Sequence, residues 1–206
     1  MPDAVEWAHP SPPIAARPGP GEPARLVWFG RGRGTTPGTG IDELHALADM
    51  LDDLAGRRRT ELVLVTEDRC RAHELLARRA AHGRVVDWSP WRLRSVLAAA
   101  HVALLPAAPG TARLRAPSRA ITALVHGVPV VAGAVPSYEA LGAGIAFGSW
   151  ATNIDRLLAD QATVETAVGR GRDAIRARYD DASVTARWAD ALRAAHHRVA
   201  VTAPAG

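Results

Sequence analysis

The sequence predicts a single α/β domain built on a parallel sheet, and three observations predict it. Its 206 residues, 48% of them apolar, suffice for one ordinary core and hardly for two. Short continuous apolar runs, of which Leu62-Val63-Leu64-Val65 is the clearest, have the length and branching of strands buried on both faces. Stretches of helical periodicity separate those runs, and this alternation is the pattern of βαβ units.

The elements follow in order from residue 25. Leu26-Val27-Trp28-Phe29 reads as the first strand. Ile41, Leu44, Leu47, Leu51 and Leu54 then fall on one helical face, with Asp42 and Glu43 in the first turn, where the helix dipole favours acids. The run at 62–65 is the second strand, followed by a helix over 69–81, a strand at 84–87 and a helix over 90–99. Val102-Ala103-Leu104-Leu105 is the next strand. A helix over 117–126 starts at Pro117, a residue suited to the first helical position, and stops at Gly127. A strand at 128–132, a short helix at 137–142 and a last strand at 145–147 come next. Helices over 150–160, 163–178 and 183–199 complete the chain, in which no internal repeat is visible.

Residues 1–24 are different. Pro2, Pro10, Pro12, Pro13, Pro18, Pro20 and Pro23 favour extended, unpacked chain, so this segment is expected to be a disordered tail or linker ahead of a domain at 25–206.

Composition excludes several function classes. Cys70 is the only cysteine, which rules out a disulfide framework or a Cys-rich metal site, and no histidine pair has a third ligand at zinc spacing. No run reaches the roughly 18 apolar residues of a membrane helix, and the opening MPDAVEWAHPSPP is no signal segment, so the expectation is a soluble, cytoplasmic protein without a membrane span. The net charge of +4 is carried by arginine alone, since the chain has no lysine, and the charges are interspersed with acids. This reads as coding bias and gives no expectation of a nucleic-acid partner.

Two segments carry candidate chemistry. The first strand runs into Gly30-Arg31-Gly32-Arg33-Gly34, a glycine-rich turn that lets backbone approach a phosphate, although neither the dinucleotide fingerprint nor a P-loop is present. The alternative is a flexible strand-to-helix loop. Arg113, Arg115 and Arg119 surround the start of the helix at Pro117. Cations there oppose the helix dipole, whereas a bound anion would reverse the sign and use the free N–H groups with the guanidinium forks. A solvated basic patch is the alternative. His126, at the helix end, suits the C-terminal dipole, and Trp88, Trp91, Trp150 and Trp188 suit packing.

The stretch Arg115-Ala116-Pro117-Ser118-Arg119-Ala120-Ile121-Thr122-Ala123-Leu124-Val125-His126-Gly127-Val128-Pro129-Val130-Val131-Ala132 resembles a segment of GT-B glycosyltransferases, family 4-like, that reads roughly K-S-x-N-R-x-x-x-A-L-x-x-G-x-P-V-V-A. Val27-Trp28-Phe29-Gly30-Arg31 and Val135-Pro136-Ser137-Tyr138-Glu139 resemble the flanking pieces of the same family, so that the likeness spans 25 to 195. The resemblance implies a Rossmann-like sheet with helices on both faces, the C-terminal, donor-binding half of such an enzyme without its acceptor-binding half. It implies a nucleoside-diphosphate sugar as partner, with Gly30, Arg31, Arg33, Arg115, Ser118 and Arg119 at the diphosphate. Trp88, Ser89, Thr122 and Glu139 would lie toward the base or sugar. Neither metal nor cofactor is expected, because the arginines supply the positive charge. The two glutamates of retaining members correspond to Leu114 and Thr122, and the usual basic residue before Gly40 is Thr39. A non-catalytic module that binds nucleotide or protein, such as a separate acceptor domain, is the second reading.

Overall fold

The computed structural model describes residues 11–32, 38–79, 82–108, 110 and 112–202. Its strands are β1 (Ala24–Phe29), β2 (Thr60–Thr66), β3 (His82–Asp87), β4 (Val102–Leu105), β5 (Val130–Ala132) and β6 (Ile145–Phe147). They form one all-parallel sheet in the order β3-β2-β1-β4-β5-β6. The chain starts in the middle, winds outward to β3, then returns to lay β4 beside β1. Strand order therefore reverses between β1 and β4, and the carboxyl ends of those strands flank the crevice where open α/β sheets take ligands.

Burial follows from this order. Covered on both faces, β2, β4 and β5 are apolar almost without interruption, as the sequence runs require. At the edge of the sheet, β3 is only half buried. The helices are α1 (Ala48–Arg57), α2 (Arg69–Leu76), α3 (Pro90–Ala99), α4 (Ser118–Val125), α5 (Pro136–Glu139), α6 (Trp150–Ala159), α7 (Gln161–Tyr179) and α8 (Asp181–Thr202). α6 lies against β4, β5, β6 and α1, while α4 packs on β4, β5 and α7.

Every predicted element is present, with shifted ends. The expected helix over 41–54 opens as a 3-10 segment, Ile41–Leu47, before α1. Three residues per turn stack Ile41, Leu44 and Leu47 in one line, and all three are buried. The helix at 69–81 stops at Leu76, its start capped by Asp68, whose side chain accepts from the Arg71 N–H. Pro117 is the cap residue of α4 instead of its first member.

Residues 11–23 form no helix or strand, as their prolines dictate, yet residues 12–17 are tied to the domain. The Ala15 N–H donates to the Gly127 carbonyl at 2.8 Å, and the Arg17 N–H donates to Gln161 Oε1 at 3.0 Å. Gly127 has a φ of 84°, and a Cβ there would collide with the Pro13 carbonyl. Beneath this strap lies Arg172, only 8% exposed. Its Nε donates to the Leu124 carbonyl (3.0 Å), and its Nη2 donates to those of Val125 (3.0 Å) and Pro12 (2.7 Å). A buried cation thereby satisfies the Val125 carbonyl at the end of α4 and adds a second donor to that of Leu124, which also accepts from the Gly127 N–H at 3.0 Å. The expectation of unpacked chain fails for these residues because their carbonyls are acceptors that the folded domain uses.

Candidate anion-binding site at the carboxyl edge of the sheet

The site is assembled from the exits of β1 and β4. β1 delivers Gly30 beside α4: a Cβ at Gly30 would lie 3.2 Å from Arg119 Nη1 and 3.3 Å from the Trp28 ring. Gly32 is needed for a second reason, since a Cβ there would run into Asp68. Its N–H donates to Glu67 Oε1 at 3.3 Å. Both glycines thus serve close internal packing at the end of the sheet. Arg31 between them is exposed, and Arg33 lies outside the described residues.

From β4 the chain passes through a 3-10 turn, Ala112–Leu114, to Arg115 and the start of α4. No side chain caps that start, and no acid stands in its first turn. Ser137 Oγ donates to the Arg115 carbonyl at 2.7 Å, which ties α5 to the loop. From the first turn of α4 the Arg119 side chain reaches back across the edge, its Nη1 donating to the Phe29 carbonyl at 3.5 Å. Arg115 and Arg119 are therefore brought together with Gly30, distant in sequence, at the reversal point.

A fourth residue joins them that the sequence reading assigned to a helix dipole. Glu43 has a fully buried side chain, and its Oε1 is ion-paired with Arg115 Nη2 while its Oε2 lies 3.7 Å from Arg119 Nη2. Among the described residues, neither carboxylate oxygen has a hydrogen-bond partner, so the two guanidiniums compensate its charge as ionic partners alone. Burial, then the neighbouring Arg119 charge, lowers the Arg115 guanidinium from its ordinary value, and the Tyr138 hydroxyl opposes that shift. The first-turn acids are thus structural partners: Asp42 likewise accepts from Arg71 Nε at 2.6 Å. The only sequence signal was indirect, an excess of arginines at 113–119 with no acid beside them.

The remaining expected residues are distributed more widely. Ser118 is exposed at the first position of α4. Thr122 turns its Oγ1 onto its own helix, donating to the Ser118 carbonyl at 2.8 Å. Glu139 is exposed on α5, which touches the 112–114 turn. Trp88 is 52% exposed and follows β3, two strands and hence about 10 Å from β1 along the sheet. Ser89 Oγ accepts from the Arg92 N–H at 3.2 Å and so caps α3. The structure does not bring Trp88 and Ser89 to the arginine cluster. His126 closes α4, its Nδ1–H donating to the Thr122 carbonyl at 2.8 Å.

Comparison with solved structures decides the fold. The chain matches HepE of Anabaena, solved with UDP and glucose, with a TM-score of 0.64 at 17% identity, over 83% of this chain and 48% of that one. It matches the trehalose 6-phosphate synthase of Burkholderia multivorans with a TM-score of 0.66 at 15% identity, over 87% and 44%. The lipopolysaccharide outer core galactosyltransferase WaaB gives 0.58 at 15% identity, over 93% and 54%. The fold is that of one GT-B domain. No family model matches the sequence, and no curated protein matches it. The chain spans about half the length of each of these three structures, and at these identities the likeness is one of fold. Among the described residues, no helix is long and apolar enough to cross a membrane.

Proposed function

We propose that this GT-B domain binds the diphosphate of a nucleoside-diphosphate sugar between the turn at Gly30 and the start of α4. The sugar would pass to an acceptor held by another domain or protein. The observation that carries the reading is the position of Arg119: its guanidinium spans from the uncapped first turn of α4 to the carbonyl that ends β1. Helix N–H groups, helix dipole and guanidinium fork there point at one place, the combination that suits a phosphate. In sugar transfer the diphosphate leaves with its charge, so fixed positive groups at that point lower the barrier. Arg119 and exposed Arg31 are the groups assigned to that contact. Arg115 is mainly occupied by Glu43 and holds the site together from behind.

Calorimetric titration of the full chain with UDP, GDP and their sugars tests the proposal. Binding is expected, and Arg119→Ala is expected to weaken it by about 1–3 kcal/mol, the scale of a lost charged hydrogen bond. A second reading, a non-catalytic interaction module, is favoured by one observation: both guanidiniums already face a carboxylate. Absence of binding to every nucleotide tried would select it.

A further inference from the structure

The buried carboxylate of Glu43 is the least expected group at the sheet edge. A carboxylate wholly removed from water is costly unless its charge is met, and here two guanidiniums meet it as ionic partners while neither of its oxygens accepts a hydrogen bond among the described residues. They come from the other side of the crevice, one from the loop before α4 and one from its first turn. The three groups together carry one positive charge, where the two arginines alone would carry two. Glu43 lies on the core side, with no exposed side-chain surface, while Arg115 and Arg119 keep 15% and 20% of theirs exposed. An arriving anion therefore meets the outer edges of the guanidiniums with a fixed negative charge directly behind them.

We propose that Glu43 sets the charge selectivity of this site, holding Arg115 and Arg119 in place while cancelling half of their charge, so that highly charged anions are not held tightly. The inference rests on the anion site proposed above, and it concerns that site's preference among phosphates, whatever group they carry. A resident counter-ion makes the empty site stable without a ligand. It also penalises each extra negative charge on the ligand, because like charges a few ångströms apart repel strongly where water is excluded.

The test uses inorganic phosphate and pyrophosphate as probes, titrated into the full chain and into Glu43→Gln, with circular dichroism to check folding. Glu43→Gln is expected to bind pyrophosphate about tenfold more tightly than the wild type, a change of about 1.4 kcal/mol, with a smaller gain for phosphate. Unchanged or weaker pyrophosphate binding by the folded variant overturns the proposal. If Glu43→Gln does not fold, the double variant Glu43→Gln/Arg115→Met decides. It leaves Arg119 alone and so keeps the net charge of one, and wild-type pyrophosphate affinity within about threefold, or 0.7 kcal/mol, supports the proposal. Loss of that affinity overturns it. If the wild type binds pyrophosphate but no nucleotide, the sugar-transfer reading falls and the charge-selectivity inference stands. If neither the wild type nor any folded variant binds pyrophosphate, the charge-selectivity inference falls, and the sugar-transfer reading falls with it only if no nucleotide binds either.

Discussion

Arg115 and Arg119 lie four residues apart in one basic cluster, yet their contacts differ, and replacing each in turn tests whether they do the different work proposed for them. In Arg115→Met the Glu43 carboxylate, with no exposed side-chain surface, keeps only Arg119, whose nearest nitrogen is 3.7 Å away. Removing one partner of a buried pair costs about 3–5 kcal/mol, and the surviving contact reduces the expected loss to about 2–3 kcal/mol. In Arg119→Ala the tight Arg115–Glu43 pair persists, and what disappears is a 3.7 Å ionic contact and a 3.5 Å hydrogen bond to the Phe29 carbonyl. Both are long, so about 1 kcal/mol of stability is at stake. Ligand binding reverses the ranking: Arg119→Ala is expected to lose most of its affinity for UDP, and Arg115→Met, where it is folded, much less. Urea unfolding followed by circular dichroism reads the first quantity, and calorimetry with UDP reads the second. Equal losses in both assays, or a greater stability loss for Arg119→Ala, would refute the division.

Two further outcomes test the surrounding structure. His101 Nδ1 accepts from the Arg25 N–H at 2.8 Å, which requires the neutral ring, and burial first, then the Arg25 charge, holds its pKa below the ordinary 6.5 against the opposing Glu22 carboxylate. The unfolded chain therefore takes up a proton that the folded one refuses, and stability should fall as pH drops below 6.5 toward the folded value. Urea midpoints at several pH values should show this slope in the wild type and a weaker one in His101→Gln. Arg172→Met leaves the carbonyls of Val125 and Pro12 without the Arg172 donor and that of Leu124 with the Gly127 N–H alone, at a cost on the order of 3 kcal/mol. Limited proteolysis should then cut within residues 11–17, and unchanged protection of that segment would show that Arg172 does not hold it.

The order of elements was determined by the sequence alone, because apolar continuity and helical periodicity are local consequences of burial that any stretch of chain carries with it. The runs at 62–65 and 102–105 read as buried strands and are β2 and β4. The stop at Gly127 was equally legible, since a positive φ demands little more than the residue itself. Arg115 and Arg119 could be singled out because cations at a helix start contradict local electrostatics and so point to a partner elsewhere. Which partner was a tertiary decision. Glu43 stands in an amphipathic turn where any acid would satisfy the dipole, and only the return of the chain to lay β4 beside β1 brings α4 over it. Pro12 and Pro13 show the same limit: proline content excludes a helix or strand, but whether a carbonyl finds a donor depends on Arg172, 160 residues away from Pro12. Local preferences are encoded residue by residue, whereas the pairing of buried charges depends on which segments the sheet order makes neighbours.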